Sequence, residues 1–285
     1  MQAQQTIRTP HSALRTPSPW WRRGGKYAAV LRMSMANHFA YIGEALLRSI
    51  FLVLIIFIFV QLWSATYTVL GTSQIGVYSL PQMVWYFAFA EAIIMSAPML
   101  RRKVDEDVKS GDLAYRLSKP YNYMLYLASD YAGEWIARFV LNLAVASALA
   151  LLLVGPITFT VWGVASALVL LVGAVVLDFL GAAIVSLLAF WIEDTMPFNL
   201  IYRRLTMLLG GMMIPLDVFP EPLSSIARAL PFSYIVYGPS RQWVSPTESF
   251  FVEVLPRLAI SIVVAGSIVF LMFRAGQRNV TVNGG

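Results

Sequence analysis

The chain has 285 residues, of which 58% are hydrophobic and only 13% are charged, with a formal net charge of +6. A soluble globular domain carries about twice that charged fraction, so the composition excludes an ordinary soluble enzyme. Because the chain has no cysteine, disulfides, thiolate nucleophiles and zinc–thiolate or iron–sulfur sites are excluded as well. The cations stand at the ends of apolar runs, a pattern typical of membrane proteins rather than nucleic-acid-binding proteins.

The N-terminal part is polar and then amphipathic. Residues 1–25 combine arginine with Pro, Ser, Thr and Gln, and they offer too little apolar surface to offset the entropy of ordering. We predict a disordered, basic cytoplasmic tail there. Residues 26–44 mix Leu, Met, Phe and Tyr with Lys26, Arg32 and His38, which predicts a helix lying in the membrane interface.

Six apolar runs come next, and they predict an all-α polytopic membrane protein with six transmembrane helices, because only helices and closed barrels satisfy the backbone in lipid. The predicted spans are Ser49–Tyr67, Leu80–Met99, Trp135–Val154, Val161–Trp191, Leu200–Pro215 and Val254–Phe273. The fourth is longer than a bilayer requires, and the fifth is short. Residues 278–285 are predicted to form a second cytoplasmic tail.

The distribution of cations predicts the orientation of these spans. The loops Thr68–Ser79 and Gly155–Thr160 contain no Lys or Arg, whereas Arg101–Lys119 contains six. Since cytoplasmic loops carry the excess of Lys and Arg, both termini and the Arg101–Lys119 loop are predicted to be cytoplasmic.

The sequence offers little to an enzyme. Its two histidines, His11 and His38, lie outside the predicted spans, so we expect no metal site and no histidine-dependent catalytic residues. Gly24-Gly25-Lys26 lacks the upstream glycine and the following Ser or Thr of a nucleotide-binding loop. We therefore expect no enzymatic activity on this chain and predict that any ATP is used by another chain.

Three ionisable residues fall inside or near the spans, where such residues are functional candidates. Glu91 and Asp178 lie within the second and fourth spans. Each is interpreted either as a proton or substrate site or as a polar contact that joins helices. Arg138, near the cytoplasmic end of the third span, is long enough to reach the lipid headgroups.

The segment after the second span has the signals of a helix–turn–helix. A helix that continues from the span is predicted to end at Gly111, with Asp112 capping a short second helix that Pro120 terminates. Three interleaved apolar residues favour a docking element over a merely solvated loop. They are Leu113, Tyr115 and Leu117.

A second irregular segment, Gly210–Pro239, comes after the short fifth span. Pro215, Pro220 and Pro222 interrupt it, and Leu223–Leu230 is a short amphipathic piece. Because irregular backbone is not tolerated against lipid, we predict a re-entrant or interfacial hairpin on the outer side.

In these two segments the sequence resembles the permease subunits of ABC-2 type (type V) ABC exporters, a family of bacterial integral membrane proteins. The resemblance covers Lys26–Gln277 and the six spans. The first pattern that carries it consists of Glu106, Gly111, Leu113, Leu117 and Pro120. The second consists of Gly211, Pro215, Phe219 and Pro220, with the later Pro231.

The resemblance implies one permease domain, residues 26–277, in a bacterial inner membrane, with an N-terminal interfacial helix and extracellular re-entrant helices. A cytoplasmic coupling helix would carry Asp112 with the residues of the first pattern. The implied partners are a second permease, identical or paralogous, membrane lipids, and two copies of a cytosolic ABC ATPase that binds ATP and Mg. No cofactor is expected on this chain.

The substrate pathway that the resemblance implies would be formed by the first, second and fifth spans. Aromatic and methionine side chains there offer adaptable contacts to an amphipathic substrate, and a plain packing role is equally compatible with each. With Glu91, the candidates are Phe87, Phe89, Met207, Met212 and Met213.

An alternative from another class is a proton- or ion-coupled carrier that uses Glu91 and Asp178 and needs no ATPase. Dissipating the proton gradient while ATP is retained would stop transport only in the carrier. An intramembrane enzyme is disfavoured because plausible metal ligands are missing.

The topology can be tested in this cysteine-free chain with single cysteines at Ser73 and Ser110. A membrane-impermeant thiol reagent should label the first from outside and the second from the cytoplasmic side, because the positive-inside rule places the two loops on opposite sides. Labelling of both from the same side would contradict the predicted orientation.

Overall fold

The computed structural model describes residues 20–40 and 42–283, and almost all of its regular structure is helical. The helices are α1 (Trp20–Ala40), α2 (Ile42–Leu70), α3 (Leu80–Ser96), α4 (Leu100–Lys109), α5 (Asp112–Ser118), α6 (Tyr123–Val154), α7 (Val161–Leu187), α8 (Met196–Leu209), α9 (Glu221–Ala229), α10 (Phe232–Ile235), α11 (Tyr237–Val244) and α12 (Glu248–Asn283). Two short 3₁₀ helices cover Leu188–Phe190 and Leu216–Val218, and the strands β1 (Gln74–Ile75) and β2 (Tyr78–Ser79) pair antiparallel.

Five helical segments within the described residues are long and apolar enough to cross a membrane. They are Ile50–Leu70, Leu80–Lys109, Tyr123–Val154, Val161–Phe190 and Glu248–Arg278. The predicted fifth span, Leu200–Pro215, is not among them. Its helix, α8, has 14 residues. At 1.5 Å per residue it is about 21 Å long, which is shorter than the roughly 30 Å hydrocarbon core.

Several helices begin or end away from the predicted limits. The third span is predicted to begin at Trp135, but α6 begins at Tyr123 because Asn122 caps it, its Oδ1 accepting a hydrogen bond from Leu125 N at 3.0 Å. Helix α1 begins inside the predicted tail at Trp20, and α12 continues through much of the predicted C-terminal tail. The predicted tail residues 1–19 lie outside the described residues.

The second span is interrupted before its predicted end at Met99. Helix α3 ends at Ser96, and Ala97 is extended, with φ −65° and ψ 120°. The cause is Pro98, which has no N–H to donate and disfavours helical geometry in the preceding residue. The chain becomes helical again at Leu100, so α4 continues from α3 across a break at Ala97–Met99.

Short elements gather at the two ends of the bundle. We call the end with β1–β2 and α9–α11 the hairpin end, where Gln82 Nε2 donates to Val244 O at 3.2 Å. We call the end with α1, α4, α5 and residues 188–195 the basic end, where Thr195 Oγ1 donates to Asp105 Oδ1 at 2.8 Å. Gly276 of α12 packs on the Phe190 ring at the basic end.

Helix α1 is fastened to α6 at the basic end. Ser34 Oγ donates to Asp130 O at 2.9 Å, and Lys26 Nζ donates to Pro120 O at 2.8 Å. Gly133 lets the two helices approach closely, because a Cβ built there would lie 2.9 Å from the Ser34 Cβ and still closer to Leu31 O.

This close approach predicts the effect of Gly133→Ala. Alanine usually stabilises a helix interior by about 0.5–1 kcal/mol relative to glycine, but here its methyl group would push α1 away from α6. We expect trypsin to cleave faster after Lys26 and Arg32 in this variant. Gly25→Ala, with no atom within 4 Å of the new Cβ, is the matched control and should leave cleavage unchanged. Equal rates in both variants would contradict the packing argument.

Candidate functional site

The helical hairpin α4–α5 has the turn that the sequence predicts. Gly111 is left-handed, with φ +78°, and Ser110 N donates to Glu106 O at 2.9 Å to close the last turn of α4. The predicted cap differs in one residue. Asp112 is the first residue of α5 rather than its cap, and its N–H donates to Ser110 Oγ at 3.3 Å.

The side chains of this hairpin divide into an inner and an outer face. Leu113 is only 1% exposed, and Leu117 packs partly buried against the core. The side chain of Leu113 is therefore covered by its own chain and is not exposed as a docking surface would be. Tyr115 is 64% exposed, and Glu106 and Asp112 are exposed as well.

Ion pairs hold α4 against the long helices. Lys103 Nζ pairs with Asp130 and, at 3.2 Å, with Glu134, and both acids belong to α6. On another face of α4, buried Asp105 pairs with Arg101 and accepts the hydrogen bond from Thr195, which immediately precedes α8. Helix α4 is thus bonded to α6 and to the α7–α8 connection.

Helix α5 is held by a second buried acid, Asp107. Asp107 pairs with Arg116 at 3.0 Å and accepts a hydrogen bond from the Tyr123 hydroxyl at 2.8 Å. Burial alone would lower the pKa of Arg116, but the neighbouring Asp107 carboxylate and further partners outweigh it and raise that pKa. Glu106 makes only an exposed pair with Arg102, a type of contact that contributes little.

The break between α3 and α4 leaves backbone carbonyls that two arginines satisfy. Arg138 of α6 donates to Ala97 O at 3.4 Å, and Arg203 of α8 donates to Pro98 O at 2.9 Å. Arg138 also pairs with Glu134 and is 17% exposed, so it points into the protein instead of reaching for the headgroups. Helices α6 and α8 therefore both meet α3 and α4 at this break.

Asp178 is the centre of a buried polar cluster between α6, α7 and α8. Its carboxylate accepts hydrogen bonds from the hydroxyls of Tyr131 at 2.5 Å and Tyr202 at 2.8 Å, and it lies 3.5 Å from Arg203. Of the proton or substrate role and the helix-joining role, this geometry favours the second.

Glu91 has a different environment. It is 4% exposed, and its Oε2 atom has no hydrogen-bond partner among the described residues. Two other pathway candidates on α3 are also core residues, since Phe87 stacks on Phe59 at 4.5 Å and Phe89 stacks on Trp243 at 4.7 Å. None of the three is exposed on the surface of this chain.

Methionines near the end of α8 are distributed between core and surface. Met212 is buried, Met207 is partly buried, and Met213 is 39% exposed. Met213 lines a cavity of about 330 Å³ between α2 and the end of α8, together with Phe59, Leu62, Trp63, Thr66, Leu208, Ile214 and Phe219. Of the pathway candidates, Met213 is the one that lines this cavity.

The predicted hairpin after α8 is organised by Asp217, a residue that the sequence patterns do not single out. Asp217 accepts hydrogen bonds from the hydroxyls of Tyr78 at 2.6 Å and Tyr237 at 2.7 Å, and pairs with Arg228 at 3.0 Å and Arg241 at 3.4 Å. The signal at this position is weak: Asp217 is one of two acids, with Glu221, in a proline-rich apolar segment.

The residues of the second pattern form the turns of this hairpin. Gly211 is left-handed, with φ +73°, and its carbonyl accepts a hydrogen bond from Tyr86 at 2.6 Å. Pro215 precedes the 3₁₀ helix, while Pro220 and Pro231 precede α9 and α10. Phe219 lies between the 3₁₀ helix and α9 and faces the cavity.

The Asp178 cluster predicts a large loss of stability on removal of one charge. Asp178→Leu leaves the partly buried Arg203 without its counter-charge and the Tyr131 hydroxyl without its acceptor, and it should cost about 3 kcal/mol. The double variant Asp178→Leu with Arg203→Met removes both charges and should recover only the part of that loss that comes from the unpaired charge, because the Tyr131 hydroxyl and Pro98 O still lack their partners. Thermal unfolding of the detergent-purified chain measures both. Arg102→Ala, which removes an exposed pair, is the control. An Asp178→Leu variant as stable as this control would disprove the structural role.

Comparison with protein families gives a match that agrees with this geometry. A family model described as "ABC-2 family transporter protein" matches residues 49–284, which excludes α1. No curated protein matches the sequence significantly. The family match covers most of the chain and includes all five apolar segments. The chain therefore belongs to the ABC-2 transporter family and is a multi-pass membrane permease of that family.

Proposed function

We propose that this chain is the permease subunit of an ATP-driven exporter in a bacterial inner membrane. It would act with a second permease, identical or paralogous, and with two copies of a cytosolic ATPase that bind ATP and Mg. The observation that supports this most is the α4–α5 hairpin, which presents an exposed face while Lys103 and the buried acids Asp105 and Asp107 fasten it to the rest of the bundle.

In this proposal the basic end is cytoplasmic, and both termini lie there. Helix α8 supplies most of the fifth of six crossings, since it runs from Thr195, bonded to Asp105, to Gly211, bonded to Tyr86. The segment from Gly211 to α11 then forms the outer re-entrant hairpin. The cation distribution along the chain supports this orientation.

Coupling to the ATPase would use the outer face of the hairpin rather than its leucines. Tyr115, Glu106 and Asp112 are exposed there, and Gly111 sets the angle between the two helices. Motion of α4 would reach α6 through Lys103 and the α7–α8 connection through Asp105. Leu113, Leu117 and the turn before Pro120 would keep the hairpin rigid.

The substrate pathway would lie on the face that carries the cavity between α2 and α8. Leu62 and Met213 are both exposed on this face, as an amphipathic substrate or a second permease would require. Phe87, Phe89, Glu91, Met207 and Met212 stand behind this layer, where they would support it. A carrier mechanism is less well supported, because Asp178 is already engaged by two tyrosines and an arginine.

Tyr115→Ala tests the coupling surface. Because Tyr115 is 64% exposed, its removal should leave the thermal stability of the permease unchanged but abolish co-purification of the cognate ATPase. Trp162→Ala, which removes a 49% exposed aromatic near the opposite end, is the control and should retain the ATPase. Leu113→Asp should instead destabilise the permease itself, since it places a charge in the core. Normal ATPase retention in Tyr115→Ala, together with normal ATP-driven transport, would refute this assignment.

A further inference from the structure

A second cavity, of about 350 Å³, opens on the other side of α8. It lies between α7, α8, α10 and α12, and we call it the lateral groove. The residues that define it here are Gly181, Tyr202, Phe232, Ile260, Val264 and Ala265. Ile260 and Val264 are 64% and 54% exposed, so the groove opens sideways from the bundle rather than towards its ends.

The groove presents no polar group that needs a partner. The Tyr202 hydroxyl donates to Asp178 at 2.8 Å, and the nearby Ser261 hydroxyl donates to Arg257 O at 2.8 Å. The remaining lining is aliphatic or aromatic. Water is not retained in a cavity that offers it no hydrogen bonds, so an apolar occupant is favoured.

The groove also lies at the depth of the hydrocarbon layer. On α12 it extends from Ile260 to Ile268, within a stretch between Arg257 and Arg274 that has no charged residue. The eight-residue rise from Ile260 to Ile268 corresponds to about 12 Å along the axis of α12. Lipid tails therefore surround the opening of the groove.

Its shape favours a narrow occupant. The cavity of about 350 Å³ extends along about 12 Å of α12, which makes it a slot narrower than the 10–12 Å diameter of a helix with its side chains. A single unbranched hydrocarbon chain is the membrane component that can enter a narrow slot of this shape.

We propose that the lateral groove binds one acyl chain of a membrane lipid, wedged between α8 and α12. The acyl chain packs on the Tyr202 ring. This ring can lie directly against Gly181 because glycine has no Cβ, which would collide with the Tyr202 hydroxyl. The acyl chain thereby fills the gap beside the residue that connects α8 to Asp178. The site requires only that these helices lie in a membrane and is independent of the transport direction or the ATPase.

Photolabelling of the full-length chain tests this site. The chain is reconstituted into phosphatidylethanolamine–phosphatidylglycerol vesicles that contain a phospholipid with a diazirine on its acyl chain, and labelled residues are mapped by mass spectrometry. We expect the groove residues to be labelled more strongly than the residues on the outward face of α12. Ala265→Phe, which fills the groove, should abolish that enrichment.

Val263→Phe is the matched control, because Val263 lies on the same helix, is 67% exposed and does not line the groove. It should leave groove labelling unchanged. Ala265→Leu is the smaller second variant and should reduce labelling if the phenylalanine variant does not fold. Stripping lipid with detergent should lower the unfolding temperature of the original chain more than that of Ala265→Phe, whose ring replaces the acyl chain.

Two results would overturn the proposal. Equal labelling of the groove and the outward face of α12 would identify ordinary boundary lipid. Protection of the groove from the lipid probe in the original chain would identify a protein segment, such as a second copy, as the occupant.

Discussion

Most polar groups that leave water find partners inside this bundle, and the break between α3 and α4 shows how they do so. Pro98 is buried and interrupts the helix, which frees backbone carbonyls there. Arg203 and Arg138 donate to the freed carbonyls of Pro98 and Ala97. Each arginine then needs an acid, and Asp178 and Glu134 supply it. The break thus determines which residues of α6, α7 and α8 must be charged.

The same constraint explains why the α4–α5 hairpin is rigid. Lys103 and Asp105 connect α4 to two different neighbours, and Asp107 connects α5 to the start of α6. Asp105 and Asp107 are buried, so leaving either carboxylate without its partners costs about 1–3 kcal/mol. An exposed pair such as Arg102–Glu106 contributes at most about 1 kcal/mol. A force applied to the hairpin therefore moves the attached helices before it detaches the hairpin from them.

Sequence signals predict turns and helix ends well where the residues that cause them are close together in the sequence. Gly111 and the prolines of the hairpin after α8 can be identified from sequence because positive φ and missing N–H groups act within a few residues. The inward orientation of Leu113 and the partners of Asp178 depend on helices distant in sequence, so hydropathy does not reveal them. Asp217 escapes sequence reasoning for the same reason, since Tyr78 is 139 residues away along the chain. The length of α8 is overestimated because its apolar composition continues past the turn at Gly210.

Helix α8 is too short to be held by apolar packing along a full span. Only Tyr202 and Thr206 are buried along its length, and a cavity lies on each side of it. Its position is therefore set by polar bonds at Tyr202, Arg203 and the Gly211 turn at its end. The loss of one such bond costs about 1–3 kcal/mol of stability when it leaves a buried polar group without a partner. Polar contacts are directional and are lost over a short distance, so these bonds fix α8 between the two cavities more narrowly than apolar packing would.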